Sequence, residues 1–196
     1  CGLGKDRIYN ENIYGKYDCS QIPLSASVIN TYLACSLKFK YKYIYKLSDF
    51  KSMSSGQIGR LIHLIIEKFN KSEHKEKSLL FELFEENWRG IKFKYVQEES
   101  QSKIDAHKML DNYWDFFDSL DIKYSMSEYS FSFIIDTVNI IGRCDSIFIN
   151  KNDEIILIDY KTTKSNKTDM QLKKDIQLRI YVLFMFLEGI IVEGEL

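Results

Sequence analysis

Ile155-Ile156-Leu157-Ile158-Asp159-Tyr160-Lys161 is an apolar run that ends in an acid, one spacer and a lysine. A continuous aliphatic run of this length predicts a buried strand. Side chains two apart on a strand emerge on the same face, so Asp159 and Lys161 are expected side by side. A carboxylate and an ammonium at the end of a buried strand suit metal-assisted hydrolysis: the acid binds a divalent cation and the lysine orients a water or a phosphate oxygen. Acid-x-Lys occurs four times, at Asp49-Phe50-Lys51, Glu73-His74-Lys75, Asp121-Ile122-Lys123 and here. Only the last follows four aliphatic residues; the other three read as solvated ion pairs.

Working outward, Val138 to Ile149 forms a second strand, and it carries Gly142-Arg143-Cys144-Asp145. A turn-rich Asn150-Lys151-Asn152-Asp153 separates it from the third. Upstream, Tyr129, Phe131 and Phe133 alternate with Ser130 and Ser132 as a first strand. Fourteen positions separate Asp145 from Asp159. An odd-numbered hairpin loop sets the two aspartates opposite each other on one face; a two-residue turn at Lys151-Asn152 sets them on opposite faces. With the odd loop, two carboxylates converge beside Lys161, and like charges so close call for a cation between them. Oxygen ligands with one imidazole suit Mg²⁺ or Mn²⁺.

The imidazole available is His63. Ile58, Leu61, Ile62, Ile65, Ile66 and Phe69 make a helical apolar stripe from about Gly56, and His63 sits at its edge. His74 and His107 lie among charged residues and are given no role. A last helix, about Met170 to Leu187, buries Ile176, Ile180, Leu183, Phe184 and Leu187. It presents Gln177 and Tyr181 at i, i+4, with Lys173 and Lys174 a turn earlier. Such a stripe can hold a phosphodiester backbone. Lys161, Lys164, Lys167, Lys173 and Lys174 supply a local positive patch.

The rest of the chain is mainly helical. Residues 1–23 are a polar, aperiodic lead-in containing the single proline, Pro23. Ser25 or Ser27 caps a helix running to about Leu47. Its outer part, Lys38 to Lys46, interleaves lysines with aromatics, either to cradle a nucleic-acid strand or as snorkelling lysines over an aromatic core. From Lys71 to Leu120 the pattern stays helical, with a break around Trp88-Arg89-Gly90 and a polar linker at Gln97-Glu98-Glu99-Ser100. The order is helices, three antiparallel strands, a helix and the start of another strand at Ile190-Ile191-Val192: an α+β domain with a helical insert.

Composition sets the outer bounds. The 196 residues are 45% hydrophobic and 28% charged, with a net charge of −1, so any DNA site must be a local patch. No apolar stretch approaches the ~20 residues of a membrane span. Cys1, Cys19, Cys35 and Cys144 show no C-x-x-C spacing and are expected to be reduced thiols in a cytosolic protein. The chain opens at Cys1 without an initiator methionine, and a longer parent polypeptide is expected.

Together these segments resemble a family. Leu24-Ser25-Ala26-Ser27…Tyr32…Cys35-Ser36-Leu37-Lys38-Phe39-Lys40-Tyr41 is similar to the opening helix of RecB-like nuclease domains of the PD-(D/E)xK superfamily. Gly59-Arg60-Leu61-Ile62-His63 matches their G-x-x-x-H motif, Gly142-Arg143-Cys144-Asp145 G-R-x-D, Asp159-Tyr160-Lys161 D-x-K, and Gln177-Leu178-Arg179-Ile180-Tyr181 Q-L-x-x-Y. Order and spacing agree over about residues 22–196.

The resemblance implies a restriction-endonuclease-like core, an antiparallel hairpin-centred sheet flanked by helices. Its helical part would cover about 24–120 and its sheet and last helix about 125–196, truncated at the C-terminus. It further implies that His63, Asp145, Asp159 and the Tyr160 carbonyl bind Mg²⁺ or Mn²⁺, that Lys161 acts on the attacking water, and that Gln177, Tyr181 and Lys174 hold the strand. Glu128 falls where relatives often carry a glutamate. Such domains work on single-stranded or unwinding DNA, at the C-terminus of UvrD-like or AddAB-type helicase–nucleases or as separate exonucleases. The implied function is a metal-dependent deoxyribonuclease acting with a helicase, in cis or in trans, in DNA repair, at the nucleoid. The alternatives are a non-catalytic DNA-binding scaffold module of a helicase–nuclease, or an iron–sulfur-containing nuclease relative. The family's Cys-Pro is Cys35-Ser36 here. Relatives that bind a 4Fe–4S cluster use a cysteine at this place and three near the C-terminus, so no cluster is expected within this chain.

Overall fold

The apolar alternation after residue 120 builds a three-stranded antiparallel sheet in the order β1-β2-β3. The computed structural model describes residues 21–47, 55–89, 91, 93, 95–162 and 167–189. In it β1 spans Ile122–Ile135, β2 Val138–Asn150 and β3 Ile155–Ile158. Strands β1 and β2 meet in a tight hairpin in which Ile135 pairs with Val138, and Asp136 takes the left-handed φ such a turn requires (+53°). β2 is central, and its register with β3 runs from Ile149↔Ile155 to Ser146↔Ile158.

The loop between β2 and β3 is odd-numbered, 151–153. The Asp153 amide donates to the Asn150 carbonyl (3.0 Å), and Asp153 is left-handed at φ +63°. This is a turn followed by one αL residue. Asn150 stabilises it through Oδ1, which accepts from the amides of Asn152 (3.0 Å) and Glu154 (2.9 Å). Continuing the register one step past β3 sets Asp159 opposite Asp145.

Helices cover both faces. On one lie α3 (Ser55–Lys71), α4 (Lys77–Trp88) and α5 (Val96–Ser119), which close a core around Ile65, Phe69, Leu80, Phe84 and Leu110, all inaccessible to solvent. Fully burying each such side chain stabilises by about 1.5–3 kcal/mol. The expected stripe of α3 faces this core, from the half-buried Ile58 to Phe69. The other face packs on α7 (Ile176–Leu187) and α1 (Ala26–Ala34), with Phe131, Ile147, Ile180 and Phe184 at the centre. Leu24 anchors α1 to the sheet through hydrogen bonds with Asn139 and Ile141. The expected α+β class, with a hairpin-centred sheet flanked by helices, is the observed one.

Three helical expectations need correction. The helix expected over Leu24–Leu47 is broken at Cys35, whose backbone is extended; a short α2 (Ser36–Phe39) and one π-turn (Lys40–Ile44) follow. Just before the break, the Thr31 hydroxyl donates to the Ser27 carbonyl (2.7 Å), a bond that competes with the helix ladder. The last helix is two: α6 (Asp169–Lys173), opened by a Thr168–Gln171 capping box, and α7, whose N-cap is Asp175. Gln97-Glu98-Glu99-Ser100 is no linker but the first turn of α5, where the two acids face the positive end of the helix dipole. Asp121 and Lys123 do form surface ion pairs, with Lys151 and Asp153. Cys1, Cys19, Asp49-Phe50-Lys51, Gly90, Lys164, Ile190-Ile191-Val192 and most of the lead-in fall outside the described residues. Among those described, no helix is long and apolar enough to cross a membrane.

Candidate metal centre and nuclease site

The site forms where the sheet changes face. In a regular strand Ser125, Ser127 and Tyr129 would share one side. Ser125 turns toward α3, donating to the Asn70 carbonyl (3.3 Å), and Ser146, the partner of Ser127, accepts from Asn70 Nδ2 (3.0 Å). Tyr129, Phe131 and Phe133 instead pack on Phe184 of α7. The reversal falls at Glu128, a non-glycine at φ +57° in the middle of a strand. Such a conformation costs of order 1 kcal/mol or more and is held by its surroundings. The flanking pairs Ser127↔Ser146 and Tyr129↔Cys144 set Glu128 opposite Asp145. Glu128, Asp145 and Asp159 therefore form one row across the three strands.

α3 brings His63 to this row. Its Nδ1 lies 3.3 Å from Asp145 Oδ1, while Asp145 Oδ2 accepts from the Tyr160 amide (2.7 Å). The hydrogen bond to Asp145 raises the His63 pKa above its ordinary value, against the opposing effect of burial. Gly59, one turn before His63, explains the tight approach. A Cβ there would lie 3.1 Å from Thr162 Oγ1, so glycine lets the segment after Lys161 pass close to α3.

Asp159 has different partners. Its Oδ2 is 2.5 Å from Lys161 Nζ, and its Oδ1 accepts from Gln177 Nε2 (2.7 Å). Burial pushes its carboxyl up from the ordinary range, only partly offset by the Lys161 ammonium. Gln177 Nε2 also donates to the Tyr181 hydroxyl (2.6 Å), which donates to the Arg143 carbonyl (2.7 Å), and Gln177 Oε1 accepts from Lys161 (3.2 Å). Asp159, Lys161, Gln177 and Tyr181 thus form one closed polar circuit from β3 to α7. Tyr181 is buried, and burial raises its phenol above the usual range. Lys174, exposed at the end of α6, forms no hydrogen bond or ion pair with this circuit among the described residues. The break before Asp175 separates it from the polar stripe expected on one helix.

Ligand atoms of His63, Glu128 and Asp145 lie within 4.8 Å of one another. Two carboxylates and an imidazole, all half-buried, are a donor set suited to a hard or borderline divalent cation. Arg143 forms an ion pair with Glu128, and His63 Nδ1 lies within hydrogen-bond reach of Asp145. Asp159, held by Lys161 and Gln177, is adjacent to this trio and not within it. In the sequence Glu128 is marked only by the family resemblance: it falls in phase with Ser130 and Ser132, and the left-handed turn that aims it is not encoded in any local pattern.

Beneath the row lies a polar network that sequence reasoning missed. Asn70 is buried, and its Oδ1 accepts from Tyr113 (2.6 Å); the Tyr160 hydroxyl meets Ser146 Oγ (2.9 Å). The network ties α3, α5 and β2 to the ring of Tyr160, whose backbone lies between Asp159 and Lys161. Cys144, inaccessible in the sheet, has its thiol pushed up to about 12 by burial, so it is an inert packing group. Cys35 is exposed.

An acid-lined sheet centre with an adjoining lysine, flanked by helices, is suited to hold a divalent cation beside an ammonium. The family model of the PD-(D/E)XK nuclease superfamily matches residues 23–188, and the chain belongs to that superfamily. Membership suggests nuclease activity; nucleases of this superfamily usually use divalent metals, and a DNA substrate is implied. No curated protein matches the sequence significantly.

Proposed function

We propose that the chain is a metal-dependent deoxyribonuclease, with residues 24–196 as its nuclease domain and 1–23 as a lead-in. The observation that carries this reading is the row Glu128–Asp145–Asp159, flanked by His63 on one side and Lys161 on the other. His63, Glu128 and Asp145 would hold Mg²⁺ or Mn²⁺, with Asp159 and the Tyr160 carbonyl at its margin. The cation would supply Lewis-acid polarisation of the scissile phosphate and a lowered pKa for an attacking water.

The chain's own groups do the rest. Lys161 is half-exposed, and its three donors are shared between Asp159, Gln177 and whatever enters the site. It orients the water, and its charge favours the anionic transition state. Gln177 fixes Asp159 and Lys161 together, and Tyr181 fixes Gln177, so these two act mainly by positioning. Arg143, in the cleft wall, and Lys174, exposed at the end of α6, offer charge for the phosphates. The substrate is single-stranded or unwinding DNA, cut as an exonuclease alongside a helicase in repair, at the nucleoid.

The test is cleavage of end-labelled single- and double-stranded DNA with Mg²⁺ or Mn²⁺, comparing wild type with Asp159→Ala and Lys161→Ala. Loss of about 10²–10⁴-fold in rate is expected for Lys161→Ala. A folded wild type that binds DNA and never cuts it would replace this reading with a non-catalytic scaffold.

A further inference from the structure

We propose that α1, α2 and the π-turn form a track that carries single-stranded DNA to the cleft, an inference that rests on the nuclease reading. Three observations converge. First, charge: residues 21–47 contain four lysines (Lys38, Lys40, Lys42, Lys46) and no acid, in a chain with 28 acids and 27 basic residues. Second, exposed rings: α2 and the π-turn bury no side chain, and Tyr32 and Tyr41 are each about half exposed (56% and 47%). The rings are ordered in pairs, Tyr32 on Phe39 (5.4 Å), Phe39 on Tyr43 (5.4 Å) and Tyr41 on Tyr45 (5.8 Å), with Lys40 and Lys42 over the rings of Tyr45 and Tyr43.

Third, continuity with the site. Ser25, Ala26 and Ser27, at the start of α1, line a cleft of about 660 Å³ together with Arg143, Gln177 and Tyr181. The nine residues of α1 rise about 14 Å from that cleft. That is about four nucleotides at the ~3.4 Å per-strand spacing of a base-paired helix, and fewer for a more extended single strand. A strand whose phosphate sits at the row would meet the tyrosines several bases away. Exposed rings interleaved with lysines, away from any base-reading groove, suit a single strand bound by stacking and charge, without sequence preference.

Fluorescence anisotropy with the full chain tests this, using labelled dT12 and dT4 in EDTA so that no cleavage competes. Wild type should bind dT12 well above dT4. Tyr32→Ala/Tyr41→Ala should weaken dT12 roughly 5- to 150-fold per lost stack and erase most of that length advantage. Tyr41→Phe, which keeps the ring, should stay near wild type. Lys38→Gln/Lys46→Gln should flatten the slope of log Kd against log salt by about 1.4, at about 0.7 per phosphate contact. Unchanged dT12 affinity and slope in both double variants would overturn the track and leave the surface for a protein partner, as would no dT12 binding by wild type. Because binding in EDTA is read apart from cleavage, a protein that binds through the track but never cuts leaves the track standing and sinks the nuclease reading instead.

Discussion

Gly142→Ala should destabilise the protein through a collision that can be located. A Cβ on Gly142 would lie 2.1 Å from Phe131 Cζ and within 2.7 Å of two further ring carbons. Carbon atoms pack at about 3.5–4.0 Å, so the ring must retreat by more than an ångström. It has nowhere to go. Phe131 stacks on Phe184 at 4.2 Å, lies beside Phe133 at 6.2 Å, and takes the edge of Tyr181 at 5.9 Å. Gly142 does not have a positive φ, so the glycine is there for room and not for backbone freedom. Overpacking costs about 1–3 kcal/mol, while replacing a strand glycine by alanine otherwise returns about 0.5–1 kcal/mol. Contacts this short put the overpacking at its upper end, so the net loss is about 2–2.5 kcal/mol, or roughly 4–10 °C in Tm for a chain of this size. Urea or thermal unfolding reads it. In a Phe131→Leu background the ring is gone, and the same Gly142→Ala change should become neutral or stabilising. An alanine variant as stable as wild type, or an equal loss in both backgrounds, would refute the reasoning.

Three further outcomes are expected. Tyr113→Phe leaves the buried Asn70 acceptor without its donor and should cost about 1–3 kcal/mol in denaturant unfolding, whereas a change at an exposed ring such as Tyr124 should cost far less. Glu128→Gln should weaken Mn²⁺ binding roughly tenfold or more by calorimetry; an unaltered affinity would remove Glu128 from the ligand set. Asp175→Ala removes the acceptor for the Gln177 amide (2.8 Å) and the partner of Lys167, at a cost of about 1 kcal/mol near neutral pH. Burial pushes the Asp175 carboxyl up, but Lys167 and the amides of Gln177 and Leu178 outweigh it, so its pKa is lowered. A lowered carboxyl stabilises above its unfolded value and loses that contribution as pH falls through the folded one. Wild type and Asp175→Ala should therefore differ at pH 7 and converge well below about pH 4.

Much of the fold was legible because it is written locally. The aliphatic run before Asp159, the α3 stripe and the serine–aromatic alternation of β1 each carry their own period. The loop parity that joins Asp145 to Asp159 stayed open, because Asn150-Lys151-Asn152-Asp153 suits a turn of two residues or three. The third residue, Asp153, decides it by adopting φ +63°. The break between α6 and α7 was readable in principle, since Thr168-x-x-Gln171 and Asp175 are both caps, but the apolar run through Ile176–Leu187 masked it. The face reversal at Glu128 has no local pattern, and the links from Asn70 to Tyr113 and Ser146 join partners 43 and 76 positions apart, which no window along the chain contains. The site's chemistry was therefore visible as motifs, while its supports were not.

The proposed nuclease activity requires a cation held by His63, Glu128 and Asp145, beside Asp159. The most direct measurement is single-turnover cleavage of labelled single-stranded DNA by EDTA-treated protein, with Mn²⁺ or Mg²⁺ titrated back, for wild type and Asp145→Asn. The account predicts no cutting without metal, saturable recovery for wild type, and little or none for a folded Asp145→Asn. Cleavage that persists in EDTA, or an Asp145→Asn variant that recovers like wild type, would contradict it.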